Sequence, residues 1–219
     1  MMKNNLPTFA ILGHPNEGKS SVVSTLAEDD SVPISPIPGE TKKCREYPVV
    51  VDGCEIIRFI GQVGYTLNGL AWDPTTGRLY GSTSTNDPSY NGLIQVDLAT
   101  GAGTPVGVNG WGFGKAAITN ITVNSSGQMY GWTESGDDLV SINKSTGVAT
   151  VVGDSGIGTA TNGLAFDRYN TLYMVNYDGL YYIINTFTGA ATLQGDISPG
   201  VEEPAHHGVF HPYSNLYYG

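Results

Sequence analysis

Charge is scarce in this chain: 14% of its 219 residues are charged, against about 25% in an average soluble domain. Basic residues are the scarcer sign, 10 Lys and Arg against 20 Asp and Glu, for a formal net charge of −10. That balance argues against nucleic acid or an anionic membrane surface as a partner. Long apolar runs are missing too; none reaches the roughly 18 residues of a membrane helix. The N-terminal stretch lacks the basic-then-apolar layout of a signal peptide. A soluble, cytoplasmic protein is expected. Cysteine is nearly absent, with Cys44 and Cys54 alone, whereas glycine (30) and tyrosine (13) are plentiful. The length suits one large domain or two small ones.

Composition shifts sharply near Ile60. Residues 1–60 carry 14 charged side chains, residues 61–219 only 16, and both cysteines lie in the first part. Such a step reads as two sequences of different origin joined in one chain.

The first part opens with a short apolar run, Thr8-Phe9-Ala10-Ile11-Leu12, suited to a buried strand. It leads into Gly13-His14-Pro15-Asn16-Glu17-Gly18-Lys19-Ser20, a full match to G-x-x-x-x-G-K-[ST]. Glycines let such a loop wrap so that backbone N–H groups point at phosphate oxygens. Lys19 reaches the β- and γ-phosphates in this arrangement, and the Ser20 hydroxyl holds Mg²⁺. Residues 20–27 read as a helix whose positive end faces the anion. Gly13, Asn16, Glu17, Gly18, Lys19, Ser20 and Ser21 are therefore the candidate phosphate-binding residues. The bland reading is a glycine-rich turn with a chance Lys-Ser.

Residues 8–60 resemble the start of the Era-like bacterial P-loop GTPases. The resemblance includes Pro38-Gly39-Glu40-Thr41, where that family places a switch threonine, and it implies a Mg²⁺ role for Thr41 beside Ser20. It also implies a nucleotide, GTP or another, bound with Mg²⁺. Glu46–Val51, Asp52-Gly53 and Cys54–Ile60 look like the family's next two strands, and Asp-Gly between apolar runs is a hairpin signal. The resemblance then breaks off. Where the family has D-x-x-G, this chain has Gly61-Gln62-Val63-Gly64, without the carboxylate. No N-K-x-D follows to read guanine; Asn143-Lys144-Ser145-Thr146 ends in Thr and belongs to a repeat. Nucleotide binding is expected to be weak. With Asp52-Gly53 as the turn, Val51 faces Cys54 and Cys44 lies opposite Gly61, too far for a disulfide, so two free thiols are expected.

From Gly61 onward the chain repeats itself. Leu70-Ala71-Trp72-Asp73-Pro74 recurs as Leu164-Ala165-Phe166-Asp167 and as Gly208-Val209-Phe210-His211-Pro212, with Ile121-Thr122-Val123-Asn124 between. Leu79-Tyr80, Met129-Tyr130, Leu172-Tyr173 and Leu216-Tyr217 follow at spacings of 50, 43 and 44 residues. A third element closes on Gly101, Gly147 and Gly189. Each repeat shows four short runs between turn residues; in the first they are 69–72, 78–82, 93–97 and 104–106. Four antiparallel strands every 43 residues or so mark a β-propeller blade, and the part resembles bacterial propeller repeats. The expected fold is mainly β: a four-repeat β-propeller, four-bladed or half of an eight-bladed ring, with a small N-terminal α/β P-loop segment. Residues 1–45 form the truncated P-loop part and 46–219 the propeller, with 46–60 as outer hairpin of the last blade. Val106-Gly107, Val152-Gly153 and Gln194-Gly195 close the other blades as Ile60-Gly61 would close that one.

Asn68, Thr119-Asn120, Asn162 and His206-His207 enter the inner strands at equivalent places and would ring one mouth of the channel. An unknown ligand or protein there is the expected partner, and a homodimer the alternative to a monomer. Asn86-Asp87, Glu134, Asp137-Asp138 and Asp178 lie on the same face, where turn carboxylates compete with a Ca²⁺ reading. His206, His207 and His211 have zinc-ligand chemistry, but alternation along a strand points successive side chains to opposite faces. No catalytic set is tied together by spacing. The leading function is a non-enzymatic propeller scaffold carrying an incomplete phosphate loop. The alternatives are a GTP-binding protein or GTPase, and a recombined chain without selected function.

Overall fold

A computed structural model describes residues 60–84, 87–108, 110–112, 118–133, 136–158, 162–176 and 178–197, with short strands at 50–51, 54–55, 209–210 and 217–218. The chain divides into two compact units, Met1–Val63 with Leu98–Ala102, and Gly64–Asp97 with Gly103–Gly219. In the first, β1 (Val50–Val51) and β2 (Cys54–Glu55) pair antiparallel with Val51 opposite Cys54. That is the register a two-residue Asp-Gly turn dictates.

The second unit is built of repeated sheets. The first comprises β3 (Leu67–Asp73), β4 (Arg78–Thr83), β5 (Leu93–Val96) and β6 (Gly103–Pro105), paired in that order. The second holds β7 (Ile118–Val123), β8 (Met129–Thr133), β9 (Asp138–Ile142) and β10 (Ala149–Asp154). The third holds β11 (Asn162–Phe166), β12 (Leu172–Asn176), β13 (Leu180–Ile184) and β14 (Ala191–Asp196). A two-stranded sheet of β15 (Val209–Phe210) and β16 (Tyr217–Tyr218) follows. Three antiparallel four-strand meanders of identical order, one per repeat, are propeller blades.

Side-chain alternation makes each blade apolar on both faces. Along β8, Met129 joins a core with Tyr80, Leu93, Ile121 and Val140 from the first two blades. Trp132, three residues on, joins the opposite core with Leu164, Leu172 and Met174 of the third. The second blade is thus covered on both sides, which explains why apolar side chains replace charge here. Phe166 of the third blade meets Tyr130 of the second, ring centroids 5.7 Å apart.

Turn chemistry sets the blade edges. Between the two inner strands, the Asp73, Asn124 and Asp167 side chains each accept backbone N–H groups two residues on, at 2.9, 3.1 and 2.9 Å. Between the outer strands, Asn143 accepts from the N–H groups of Ser145 and Thr146, and Asn185 from those of Phe187 and Thr188. These Asx turns are what Asp and Asn do at such places. Asn143-Lys144-Ser145-Thr146 is therefore a blade turn.

The closing glycines have a shared geometry. A Cβ built on Gly107 would lie 2.0 Å from the Thr146 carbonyl oxygen, and one on Gly153 2.0 Å from that of Thr188. The facing residues Gly147 and Gly189 stand at φ 75° and 79°, the left-handed region that favours glycine. The last strands of the first and second blades thus end on the outer turn of the blade that follows, backbone against backbone, whereas a Cβ on Gly195 of the third would meet the Tyr181 ring of its own blade.

Candidate functional site

The phosphate-loop residues Gly13, Asn16, Glu17, Gly18, Lys19, Ser20 and Ser21, and Thr41, lie outside the described residues, as do Cys44, Asn86, Glu134, His206, His207 and His211. The position next to them in function is described. Gly61, standing where the GTPases carry the D-x-x-G aspartate, faces Thr100 and Gly101: a Cβ on it would lie 1.7 Å from the Thr100 carbonyl oxygen. No side chain fits there. A Mg²⁺ set built on Ser20 and Thr41 gets no oxygen from this position, so the described residues do not complete one.

At the channel-mouth end of the blades, the expected equivalence shifts by one residue. Leu67 pairs with Thr83 and Gly69 with Ser82, leaving Asn68 as the extra residue of a bulge. In the second blade Ile118 pairs with Thr133 and Asn120 with Trp132, so Thr119 is the bulged counterpart of Asn68. Asn120 takes the place of Gly69 and is buried. Asn162 pairs in regular register with Asn176. The Thr119 hydroxyl donates to the Trp132 carbonyl at 3.4 Å, within its own blade. Bulges re-aim single side chains, a signal that repeat spacing alone does not carry.

Asp87 accepts from the N–H groups of Thr66, Ser89 and Tyr90 at 2.7, 2.8 and 3.3 Å. Burial opposes its ionisation, but those donors outweigh it and hold the carboxyl below its usual range. Asp138 goes the other way: burial, then repulsion from Asp154 and Asp137, raises it. Asp178 accepts from the Asn176 amide at 3.4 Å. Among the described residues no three His, Cys, Asp or Glu side chains gather to hold a metal ion, and no helix is long and apolar enough to cross a membrane.

The most strongly placed charge pair was not singled out by sequence. Asp73, fully buried at the end of β3, accepts from Lys144 in the outer turn of the second blade. It also accepts from the Thr75 N–H at 2.9 Å and from the Thr75 and Thr76 hydroxyls, both at 2.7 Å. Burial raises the cost of its charge, yet Lys144 and the threonines prevail and keep the carboxyl far below its ordinary value. A second tie joins the next two blades, where the Ser125 N–H donates to Asn170 at 2.9 Å and Asn170 donates back to the Ser125 hydroxyl at 2.7 Å. These contacts clamp blades together.

Comparison with known proteins divides the chain the same way. Residues 8–90 match the family model of the 50S ribosome-binding GTPase. GTPase Der of Agathobacter rectalis is 40% identical over 62 residues, 28% of this chain and 14% of that protein. The family match runs past Gly61 into residues that the structure pairs as β3 and β4 of the first blade. Among solved structures, a nidogen/laminin complex is 14% identical with a TM-score of 0.48, covering 65% of this chain and 52% of that one. A structural-genomics protein of unknown function from Bacteroides thetaiotaomicron is 14% identical at a TM-score of 0.48, over 77% and 47%. A virginiamycin B lyase from Staphylococcus aureus is 13% identical at 0.48, over 68% and 53%. The chain spans about half the length of those structures and a small part of the GTPase.

Proposed function

We propose that the chain is a β-propeller scaffold whose N-terminal loop holds nucleotide phosphate and does not hydrolyse it. The observation that carries this reading is Gly61. Phosphoryl transfer in P-loop proteins depends on positioned charge around the γ-phosphate and Mg²⁺. The aspartate that would anchor the ion is replaced by a glycine packed onto Thr100.

What remains is phosphate capture by the Gly13–Ser20 backbone and Lys19, without a base-reading element. The propeller then serves as the presenting surface, with an unidentified ligand or protein at the mouth near Asn68 and Thr119. GTP and Mg²⁺ incubated with the purified chain should release phosphate no faster than with its Lys19→Ala variant. Turnover that requires both Lys19 and Mg²⁺ would instead support the GTPase reading.

A further inference from the structure

Buried polar groups normally find hydrogen-bond partners, and an exception calls for an explanation. Among the described residues four buried side-chain atoms have no partner: Ser82 Oγ, Asn91 Oδ1, Trp111 Nε1 and Trp132 Nε1. Three of them belong to one place. Ser82 stands directly across from Leu93 on the neighbouring strand, and Asn91 comes two residues before Leu93. Trp111, in the connector between β6 and β7, shares a core with Leu93 and Tyr80. A Cβ built on Gly110 would lie 2.1 Å from the Asn91 carbonyl oxygen, so the connector runs against Asn91. Ser82 faces the second blade: a Cβ on its partner Gly69 would lie 3.2 Å from Ser82 Oγ and 3.1 Å from Asn120 Cα. Ser82 and Trp111 are 0% and 1% exposed. Three orphaned polar atoms thus meet where the first blade packs on the second.

The junction of the second and third blades shows the contrast. Trp132 takes the place of Ser82, each paired just inside its blade's bulge. Ser155 takes the place of Trp111: the Ala149 N–H donates to the Trp111 carbonyl at 2.9 Å, and the Ala191 N–H to the Ser155 carbonyl at 3.0 Å. Each junction therefore holds one indole and one serine, with the two positions exchanged. The second serine is satisfied, its hydroxyl donating to the Ile157 carbonyl at 3.2 Å. Only the Trp132 indole stays without a partner there among the described residues. The first junction instead gathers an indole N–H that only donates, an amide oxygen that only accepts, and a hydroxyl that does both. None of the three carries charge, so an ion placed among them would be buried unpaired, at high cost.

We propose that the junction of the first and second blades is an internal binding site for one water molecule, held by Ser82 Oγ, Asn91 Oδ1 and Trp111 Nε1. The water accepts from the indole N–H, donates to the Asn91 oxygen and shares its remaining hydrogen bond with the Ser82 hydroxyl. Three bonds is about the usual number for a buried water. The bridge ties two strands of the first blade to the connector, whose Trp111 carbonyl in turn holds the start of β10 in the second blade. Water thereby does at this junction what packing of the Trp132 indole does at the next.

The sign of one substitution separates a bridged hydroxyl from an orphaned one. Removing a buried hydroxyl that bonds to nothing relieves a desolvation penalty, whereas removing one that holds a bridging water breaks a bond. Thermal melts of the full-length chain are expected to show Ser82→Ala melting about 2–4 °C lower. Combined with Trp111→Phe, the loss is expected to be smaller than the sum of the two single losses, because both release the same water. A high-resolution crystal structure is expected to show one solvent peak within about 3.2 Å of all three atoms, and the same peak lost or displaced in Ser82→Ala. Three results would each overturn the proposal: Ser82→Ala melting at or above the unmodified chain, strictly additive losses in the double variant, or no solvent peak shared by the three atoms.

Discussion

Gly153→Val is expected to lower the melting temperature by about 6–12 °C, from a loss of roughly 3 kcal/mol in a chain of this size. The new Cβ would lie 2.0 Å from the Thr188 carbonyl oxygen and 2.9 Å from its carbon. The obstacle is backbone held in a turn by Asn185, so it cannot swing aside as a flexible side chain would. The facing Gly189, at φ 79°, offers no slack. Gly158→Ala is the control, because a Cβ there meets nothing within 4 Å and an exposed change of that kind stays within about 0.5 kcal/mol. Equal melting temperatures for both variants would show that the glycine contact between blades is not what seats them.

Asp73→Ala is expected to be nearly as damaging, at about 3 kcal/mol, because Lys144 is left beside a buried gap and two threonine hydroxyls lose their acceptor. Asp73→Asn should cost less, about 1–2 kcal/mol, since Asn124 performs the same turn in the second blade with an amide oxygen. The pH dependence has a definite sign. The folded carboxyl sits far below its unfolded value, so its contribution is complete above about pH 4 and fades as pH falls further. The stability gap between the unmodified chain and Asp73→Asn, followed by thermal melts, should be flat from pH 5 to 8 and shrink below pH 4. A gap that widened on acidification would contradict the assignment.

The blades were legible because their signals are local and repeated. Turn residues such as Asp73, Asn143 and Asn185, and Leu-Tyr pairs at similar spacing, mark strands and turns in the sequence itself. Strand limits shifted slightly: β3 starts at Leu67 where the repeat suggested residue 69, since a bulge at Asn68 lets pairing continue past the glycine. Of the pair Thr119-Asn120, the bulge makes Thr119 the counterpart of Asn68 and sets Asn120 in the place of Gly69, a choice that spacing alone does not make. Lys144 lay in a segment read as a repeat element that fails the N-K-x-D pattern. Its partner stands 71 residues earlier in another blade, and only packing brings the two together. Gly61 was legible as a missing aspartate; its closeness to Thr100, which makes the loss structural, came from the fold.

The phosphate loop without a base reader is the claim that most determines what the molecule does. Calorimetric titration of GTP, ATP and pyrophosphate into the full-length chain, with Mg²⁺ and with Lys19→Ala as reference, tests it most directly. The three ligands are expected to bind weakly, with dissociation constants within about threefold of one another, because a site that contacts only phosphate cannot discriminate bases. Binding should disappear in Lys19→Ala. A preference for GTP over ATP of about tenfold or more, worth 1.4 kcal/mol of base recognition, would contradict the account.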